Sequence, residues 1–373
     1  MKYLFKLGHQ PEISKSEIFS LINQQGKWCG VVGQQDDRLV LSSEELDTSQ
    51  LMQRLGGTVY IAKKVNSQGD NMKEKIVNYL DENSKEGKIE FAISGKNSAD
   101  LLMPVKRELQ DRDRSARFVK LKNTASIKYN DLVDSGTHLN IFGDELFVTK
   151  AIQPFEKLKT HDYGRPAADP ESGMLPPKLA RIMLNLAQVG SDDYLLDPFC
   201  GSGTILLEAA SMGMKNLLGS DKEEQAITDT EQNLDWIKQQ ENLSFNYRLV
   251  NQSVEQISEK IDTESIDKIV TEPFLGEPRT GDEDKSFLKE QTHKLKRLYI
   301  DAFYEFADIL KEGGEVVFII PKFRTKDGWL EIDCLDQIQQ TGFKIEPFEE
   351  QKSLFYARDN QLVGREIYKF KKS

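Results

Sequence analysis

Hydrophobic and polar positions follow short repeats in the first part of the chain. Alternating positions predict strands over residues 2–7, 59–62, 89–94, 117–121 and 139–142. Apolar residues three and four positions apart predict helices near residues 14–24, 74–80 and 99–109. Elements of this length are typical of one or two small α/β modules.

A segment without sustained periodicity follows. It contains Pro154, Gly164, Pro166 and Pro170, residue types that interrupt helices and strands. We therefore predict a linker over residues 154–172.

From Leu175 onward, predicted strands alternate with predicted helices. Pro176 and Pro177 suit a helix N-terminus, and the apolar residues that follow recur on one helical face. Strands are predicted at residues 194–196, 216–218, 247–250, 268–270 and 315–320, helices at 204–212, 224–239 and 294–310, and a final antiparallel pair of strands at 343–348 and 365–370. The alternation predicts a doubly wound, mostly parallel sheet, in which ligands bind at the carboxyl ends of the strands.

Composition narrows the class of protein. The chain has 373 residues, of which 38% are hydrophobic, and this suffices for two or three domains. No apolar run reaches the roughly 18 residues of a membrane helix, and the first residues lack the apolar stretch of a signal peptide. The three cysteines are far apart and the four histidines show no ligand spacing. We therefore expect a cytoplasmic protein with no membrane association and no metal.

The net charge of −11 hides a local basic segment. Acidic residues are concentrated after residue 160, whereas basic residues prevail between residues 106 and 128. The basic positions are Lys106, Arg107, Arg112, Arg114, Arg117, Lys120, Lys122 and Lys128. Such a segment is suited to contact phosphates while the acidic remainder repels other polyanions. A solvated helix end with ion pairs explains the same charges equally simply.

The most informative turn joins the strand predicted at 194–196 to the helix predicted at 204–212. Its sequence is Asp197-Pro198-Phe199-Cys200-Gly201-Ser202-Gly203-Thr204. The glycines allow a ligand close to the backbone, and the helix N-terminus offers unpaired N–H groups. Asp221 ends the next strand about 20 residues after Gly201, where a carboxylate accepts hydrogen bonds from ribose hydroxyls.

Three nucleotide ligands compete for this turn. A dinucleotide fold requires a third glycine where this chain has Leu206, and the Gly-Lys-Ser/Thr of a P-loop is absent. Asp197 fits a different ligand, because a carboxylate at the strand end can hold a cationic amino group. S-adenosylmethionine carries such a group without a phosphate, so we expect it as the cofactor. An ordinary strand-to-helix turn is the structural alternative.

The strand predicted at 268–270 leads into Thr271-Glu272-Pro273-Phe274. Methyltransferases that act on exocyclic amino nitrogens usually carry Asp/Asn-Pro-Pro-Tyr/Phe at this point. Acceptors for the amine protons orient the weakly nucleophilic nitrogen, and the aromatic ring stacks on the base. With Phe274 as the stacking ring, Thr271 takes the acid position; with Glu272 as the acid, the register slips by one residue. We favour Glu272 as the acceptor and Phe274 as the platform, and a buried strand end is the alternative.

Together with two earlier segments, these motifs resemble one family. The segments are DYGRP at residues 162–166 and SGMLPPKLA at 172–180. With DPFCGSGT and TEPFLG, they are similar to the THUMP-containing tRNA guanosine N2-methyltransferases, which modify the guanosine at position 10 of tRNA in archaea and eukaryotes. The resemblance implies a ferredoxin-like module over residues 1–64, a THUMP RNA-binding domain over 65–153, the linker, and a Rossmann-like S-adenosylmethionine-dependent methyltransferase domain over 173–373.

The resemblance also assigns the residues of the site. Those expected to hold the cofactor are Asp197, Phe199, Gly201, Gly203, Thr204, Asp221 and Leu175, with the backbone at residues 173–175 closing over it. Gln252 and Ser253 stand where an Asp-Ala pair usually contacts the adenine. Thr271, Glu272, Pro273 and Phe274 are expected at the amine pocket, and Arg117, Lys120, Lys122 and Lys128 on the RNA-binding surface.

The expected reaction is metal-free transfer of a methyl group from S-adenosylmethionine to the exocyclic N2 of a guanosine in tRNA. Two alternatives stay open. One is the same transfer to another nucleic-acid amine, such as adenine N6 or a ribosomal guanine. The other is a catalytically silent RNA-binding protein on the same fold, motivated by TEPF in place of the usual motif. The resemblance implies tRNA as the partner and allows for a small activating subunit, which the eukaryotic relatives use.

Overall fold

The computed structural model describes residues 1–167, 174–349 and 351–373 of the chain. Contacts divide the chain into two units, one of residues 1–15 with 22–154 and the other of residues 16–21 with 155–373. The expected boundary between the linker and the methyltransferase domain, at residues 172 and 173, lies outside the described residues. Over the described parts of the chain, no helix combines the length and the apolar character needed to cross a membrane.

Residues 2–152 form short strands and helices, which belong to the first unit except for residues 16–21 of α1. In chain order they are β1 (Lys2–Leu7), α1 (Pro11–Gln24), β2 (Cys29–Gln35), β3 (Arg38–Ser43), α2 (Thr48–Arg54), β4 (Thr58–Val65), α3 (Met72–Asn83), β5 (Ile89–Ser94), α4 (Ser98–Asp111), β6 (Ala116–Phe118), α5 (Ala125–Tyr129), β7 (His138–Phe142) and β8 (Glu145–Ile152). The predicted strands at 2–7 and 89–94 coincide with β1 and β5, whereas β2, β3 and β8 lie outside every predicted element.

These strands form one sheet in the order β2-β3-β1-β4-β8-β7-β5-β6. Its first part, from β1 to β4, has the β-α-β-β-α-β order of a ferredoxin-like module. β4 then pairs antiparallel with β8, so the modules expected at residues 1–64 and 65–153 share a single sheet. β4 itself runs across the expected boundary at residue 64, and the THUMP assignment of the second module stays a prediction.

The strand predicted at 117–121 is shorter than expected. β6 ends at Phe118, and after the Val119 N–H donates to the Phe91 carbonyl at 2.7 Å the chain leaves the sheet. The side chain of Asn123 accepts a hydrogen bond from the Ser126 N–H at 3.1 Å and starts the turn into α5. Lys120 and Lys122 therefore lie on a loop after β6, and the prediction of a strand that extends to residue 121 is wrong.

The second unit contains the longer elements. They are α6 (Phe155–Tyr163), α7 (Pro177–Leu186), β9 (Tyr194–Asp197), α8 (Thr204–Ser211), β10 (Asn216–Asp221), α9 (Glu224–Gln240), β11 (Asn246–Asn251), a 3-10 segment (Val254–Glu259), β12 (Ile266–Thr271), α10 (Lys285–Ile309), β13 (Leu310–Thr325), β14 (Gly328–Leu330), α11 (Leu335–Gln340), β15 (Phe343–Glu346), β16 (Leu354–Tyr356) and β17 (Val363–Lys372).

The predicted linker is helical over its first half. α6 buries Leu158 and His161, which lie three residues apart on one face. With only two buried positions, α6 is too short to show a repeating hydrophobic pattern in the sequence. The His161 ring nitrogens lie 2.7 Å from a carboxylate oxygen of Glu208 on α8 and 2.8 Å from one of Glu241 after α9, so this helix is tied into the second unit.

The second sheet follows the predicted doubly wound plan. Among the described residues its strands run in the order β11-β10-β9-β12-β13-β17-β15, with β14 added beside β13 and β16 beside β17. The first five strands are parallel, and β17 inserts antiparallel between β13 and β15. The expected Rossmann-like fold with an antiparallel final pair is confirmed. β9 and β12 are neighbours at the point where the strand order reverses, which is where such sheets bind their ligands.

An aromatic core supports this half of the sheet. Phe303 of α10 lies 5.2 Å from Phe318, 5.1 Å from Phe343 and 4.8 Å from Phe370, measured between ring centroids. The rings meet edge to face, the geometry that aromatic pairs favour. α10 begins nine residues before the prediction, at Lys285, because Asp284 caps it by accepting from the Phe287 N–H at 2.7 Å.

Candidate active site

The turn after β9 depends on two glycines. Gly201 has φ +51° with open space where a side chain would project, and Gly203 has φ +79°. Both values lie in the left-handed region that favours glycine. A Cβ on Gly203 would also lie 2.9 Å from Cγ2 of Thr230. The open backbone at Gly201 leaves room for a ligand beside the N-terminus of α8.

Two side chains of α9 hold this turn from behind. The Thr230 hydroxyl donates to the Gly201 carbonyl at 2.7 Å, and Asn233 Nδ2 donates to the Ser202 carbonyl at 2.8 Å. Both side chains are buried. Since these bonds satisfy the carbonyls, the shape of the turn is set before any ligand arrives.

Asp221 lies at the end of β10, next to the turn. Its Oδ2 accepts from the Gly201 N–H at 3.0 Å and its Oδ1 from the Glu223 N–H at 3.1 Å. Each carboxylate oxygen keeps a further lone pair for a ligand hydroxyl. Gln252 and Ser253 follow β11 at the same edge, and the Gln252 N–H donates to the Asp221 carbonyl at 3.0 Å. The structure thus brings together the residues expected at the ribose and adenine.

Asp197 is a buried carboxylate with only 2% of its surface exposed. Its Oδ1 accepts from the Thr271 hydroxyl at 2.7 Å and from the Phe199 N–H at 3.3 Å. Burial raises the pKa of Asp197 to about 7, and these two hydrogen bonds only partly oppose the shift. A carboxylate in this state gains from a cationic partner, as expected for a ligand amino group.

The same hydrogen bond decides the place of Thr271. Its side chain is buried and its hydroxyl is donated to Asp197, so it belongs to the end of β12 beside β9. Of the two registers that the sequence left open, this favours Glu272 as the acid, since Thr271 carries no carboxylate and its proton is already engaged.

Glu272 is paired with an arginine from the far end of the chain. Its Oε1 accepts from Nε of Arg365 on β17 at 2.5 Å, and its Oε2 lies 3.5 Å from Nη2 of the same residue. Burial raises the pKa of Glu272, and the Arg365 charge opposes this shift. When Glu272 is ionised, its oxygens keep lone pairs that Arg365 does not occupy, so the carboxylate can accept further hydrogen bonds.

Phe274 presents half of its surface to solvent. The Tyr299 hydroxyl donates to the Phe274 carbonyl at 2.7 Å, and Gln291 Oε1 accepts from the Glu277 N–H at 3.1 Å. Pro273, between the acid and the ring, is buried. These contacts with α10 hold the loop after β12 while leaving the ring face available for stacking.

The remaining residues expected at the cofactor lie around the turn. Phe199 packs on the aromatic core, Leu175 is buried just before α7, and the Thr204 hydroxyl accepts from Nη1 of Arg165 at 2.7 Å. Gly173, expected to close over the cofactor, lies outside the described residues.

The residues expected to contact RNA lie in the first unit. Arg117, Lys120, Lys122 and Lys128 are all exposed, and Arg117 lies 3.4 Å from a carboxylate oxygen of Glu90. Two other residues of the basic segment form ion pairs within the protein. Arg112 and Arg114 both form ion pairs with Asp81, so the reading of these two as helix charges in ion pairs is correct.

Metal ligands are not grouped anywhere in the described ranges, where no three His, Cys, Asp or Glu side chains are arranged to hold an ion.

Several residues of the site carry no local signal. Arg365, Tyr299 and Gln291 act on the TEPF loop from distant positions, and Thr230 lies within an ordinary amphipathic helix. Arg165 is different, because a lone arginine inside a Gly- and Pro-rich segment marks a position where a charge serves a specific contact.

Comparisons with known proteins agree with this geometry. Residues 165–330 match a family model described as "RMKL-like, methyltransferase domain", and residues 58–232 match one described as "DNA methylase". The crystal structure of TrmN from Thermus thermophilus aligns over the full length of both chains with a TM-score of 0.55 and 17% identity. At this identity the likeness supports the fold alone.

Relatives of known name lie in archaea. The tRNA (guanine(10)-N2)-dimethyltransferase of Methanothermobacter thermautotrophicus is 30% identical over 185 residues, which are 49% of each protein. The protein of the same name in Methanocaldococcus jannaschii is 29% identical over 213 residues, 55% of this chain and 54% of that one. The alignments with these two curated relatives thus span about half of their length.

A relative from Methanothermococcus thermolithotrophicus is covered more fully. It is named "Probable tRNA (guanine(10)-N2)-dimethyltransferase" and is 30% identical over 141 residues, 38% of this chain and 78% of that protein. Combined with the glycine turn, the buried Asp197 and the TEPF loop at neighbouring strand ends, this similarity establishes the family. The chain belongs to the tRNA guanine N2-methyltransferase family.

Proposed function

We propose that this protein is cytoplasmic and transfers a methyl group from S-adenosylmethionine to the N2 amino group of a guanosine in tRNA, at position 10. The observation that carries the proposal is the pairing of a partly buried acceptor, Glu272, with an exposed ring, Phe274, at the end of β12. This pair stands beside the glycine turn of β9, because β9 and β12 are adjacent parallel strands.

The residues of the turn fit the proposed cofactor. The open backbone at Gly201 allows the cofactor to pack closely against the turn. The buried carboxyl group of Asp197 suits its amino group, and the carboxylate of Asp221 at the end of β10 suits its ribose. The cofactor supplies an electrophilic methyl group. The side chains of the protein must bind the base and orient its amino group.

The chain must orient and activate a poor nucleophile. The lone pair of an aromatic amine is delocalised into its ring, so an acceptor that draws the amine protons outward turns the lone pair toward the methyl group. Glu272 is the acceptor for these protons, and Phe274 stacks on the guanine. Pro273 keeps the two side chains on a rigid backbone.

The basic segment supports tRNA as the substrate. Arg117, Lys120, Lys122 and Lys128 are exposed in the module expected to be a THUMP domain, where they can contact phosphates of an A-form stem. A base inside such a stem reaches a pocket only when displaced from its stack. We therefore propose that the first unit positions the tRNA and the second unit accepts the displaced guanosine.

A second candidate function is methylation of adenine N6 in a nucleic acid. The match of residues 58–232 to a DNA methylase model favours it, since the same acceptor and ring suit either amine. A small activating subunit, as the eukaryotic relatives use, is compatible with both functions.

The test is transfer of a labelled methyl group from S-adenosylmethionine to tRNA, followed by mass spectrometry of the nucleosides. We expect N2-methylguanosine or N2,N2-dimethylguanosine with the wild type, and a loss of at least about 100-fold with Glu272→Gln or Phe274→Ala. Glu277→Gln, an exposed acid of the same loop, is the matched control and should retain activity.

Each other outcome assigns a different function. Detection of N6-methyladenosine would show that adenine, and not guanine, is the target base. Binding of tRNA and cofactor without transfer, with or without added cell extract, would make the protein a silent RNA-binding member of the family.

A further inference from the structure

Arg165 is a buried cation beside the glycine turn. It follows α6, and only 5% of its surface is exposed. Its Nη1 donates to the hydroxyl of Thr204, the first residue of α8, at 2.7 Å. Its Nη2 contacts the sulfur of Met174 at 2.6 Å, and its Nε is buried without a hydrogen-bond partner.

Arg165 has no ion-pair partner among the described residues, although the carboxylates of Asp162 and Glu208 act on its charge from a greater distance. Three other buried arginines differ in this respect: Arg181 pairs with Glu208, Arg279 with Glu283, and Arg365 with Glu272. Glu208, an acid whose charge Arg165 senses, is already engaged by Arg181 and His161.

An unpaired guanidinium in this place is costly. Burial removes the hydration of the guanidinium without an ion pair to replace it, and the N-terminus of α8 adds the positive end of a helix dipole. Fold stability alone therefore does not account for Arg165. Its fork of N–H groups, with Nε still free, is instead suited to an anionic group with two oxygens.

The location limits what that anion can be. Asp197 begins the glycine turn with a buried carboxyl group, and Arg165 lies at the other end of the turn, at Thr204, with a buried positive charge. An α-amino acid group carries the complementary charges, an ammonium and a carboxylate on one carbon. A phosphate of RNA is excluded by burial, because a polymer backbone does not reach a side chain this enclosed.

We propose that Arg165 binds the carboxylate of the amino-acid portion of S-adenosylmethionine, while Asp197 faces its ammonium. This rests on the proposed function, since it takes the cofactor from there. It adds the residue that recognises the zwitterionic end, and it explains why an arginine stands in a segment of glycines and prolines.

The test compares two ligands by calorimetry. S-adenosylhomocysteine has the full amino-acid end, whereas S-adenosylthiopropylamine keeps the amino group and lacks the carboxylate. We expect wild type to bind the first about 10- to 100-fold more tightly, the worth of a charged hydrogen-bonded contact. Arg165→Met should lose this preference by weakening only S-adenosylhomocysteine, and Arg165→Lys should keep part of it.

Controls separate this contact from a structural role. Asp221→Ala should weaken both ligands alike, because both carry the ribose. Equal weakening of both ligands by Arg165→Met, or an equal affinity of wild type for both, would overturn the role of Arg165 while leaving the cofactor in place. Should Arg165→Met not fold, the wild-type preference and Arg165→Lys decide. Failure of wild type to bind either ligand would instead remove the cofactor assignment and this inference with it.

Discussion

Arg365 Nε donates to Glu272 Oε1 at 2.5 Å, and this bond joins β17, the last strand in chain order, to the acid of the amine pocket. The two residues are 93 positions apart in sequence. Their pairing follows from the antiparallel insertion of β17 between β13 and β15, which brings the start of β17 to the edge of the sheet where β12 ends. The acceptor of the proposed reaction is thus positioned by a residue from a distant part of the chain.

This pair predicts a change in the pH dependence of turnover. Burial raises the pKa of Glu272 and Arg365 opposes the shift, so Arg365→Met should raise the pKa further. Since the ionised carboxylate is the active form, activity should then be lost at a higher pH on the acid side of the profile. We expect the rate at saturating cofactor to fall about 10-fold or more, with cofactor affinity unchanged. Arg358→Met, at an exposed position, is the control. An unchanged profile would contradict the role of Arg365.

Asp197 predicts a trade between stability and binding. Burial raises its pKa to about 7, above the usual value near 3.8, so the folded state binds a proton that the unfolded state releases between these values. Stability is therefore lost as pH rises from 4 to 7, and Asp197→Asn should recover a few kcal/mol at pH 8 and little at pH 4. The same variant should abolish cofactor binding. Thermal unfolding at both pH values and calorimetry measure the two effects, and a destabilised variant at pH 8 would refute the assignment.

His161 predicts the opposite pH dependence. Burial alone would lower its pKa, but the carboxylates of Glu208 and Glu241 outweigh this and raise it. The charged form therefore stabilises the fold fully below pH 6.5, and this contribution disappears as pH rises through the raised pKa. His161→Gln should cost about 1–3 kcal/mol at pH 6 and less at pH 9 in urea unfolding. His293→Gln, on the exposed face of α10, should cost little at either pH. Equal losses at both pH values would mean that His161 is neutral in the fold.

Lys120 and Lys122 predict a salt-dependent loss of tRNA binding. Replacing both with Ala should weaken tRNA binding uniformly across sequences and reduce the slope of log affinity against log salt by about one for each lost phosphate contact. Cofactor affinity should not change. Lys326→Ala with Lys344→Ala removes the same charge from exposed sites of the second unit. Equal effects of the two double variants would place RNA recognition elsewhere.

The elements that the sequence predicts well are those whose signal is local. The turn at Gly201 follows β9, and Asp221 ends the next strand, β10. The spacing of hydrophobic residues likewise predicts the bounds of β1 and β5. β2 was hidden because it is an edge strand with two glycines and exposed Val31 and Val32, so it shows no alternation.

Contacts between distant segments escaped prediction for a physical reason. Periodicity reports which face of an element is buried, and not what lies against it. Nothing in the neighbourhood of Glu272 signals Arg365, and nothing in α10 signals that Tyr299 binds the Phe274 carbonyl. The choice between Thr271 and Glu272 likewise depended on Asp197, which is brought to Thr271 by the pairing of β9 with β12.

The most direct measurement of the central claim uses a single atom of the substrate. Two tRNA transcripts would be compared, one with guanosine and the other with inosine at position 10; inosine is guanosine without the N2 amino group. Labelled methyl transfer to the guanosine transcript and none to the inosine transcript is the predicted result. Equal transfer to both transcripts would show that the methyl group goes to another atom and would contradict guanine N2 as the target.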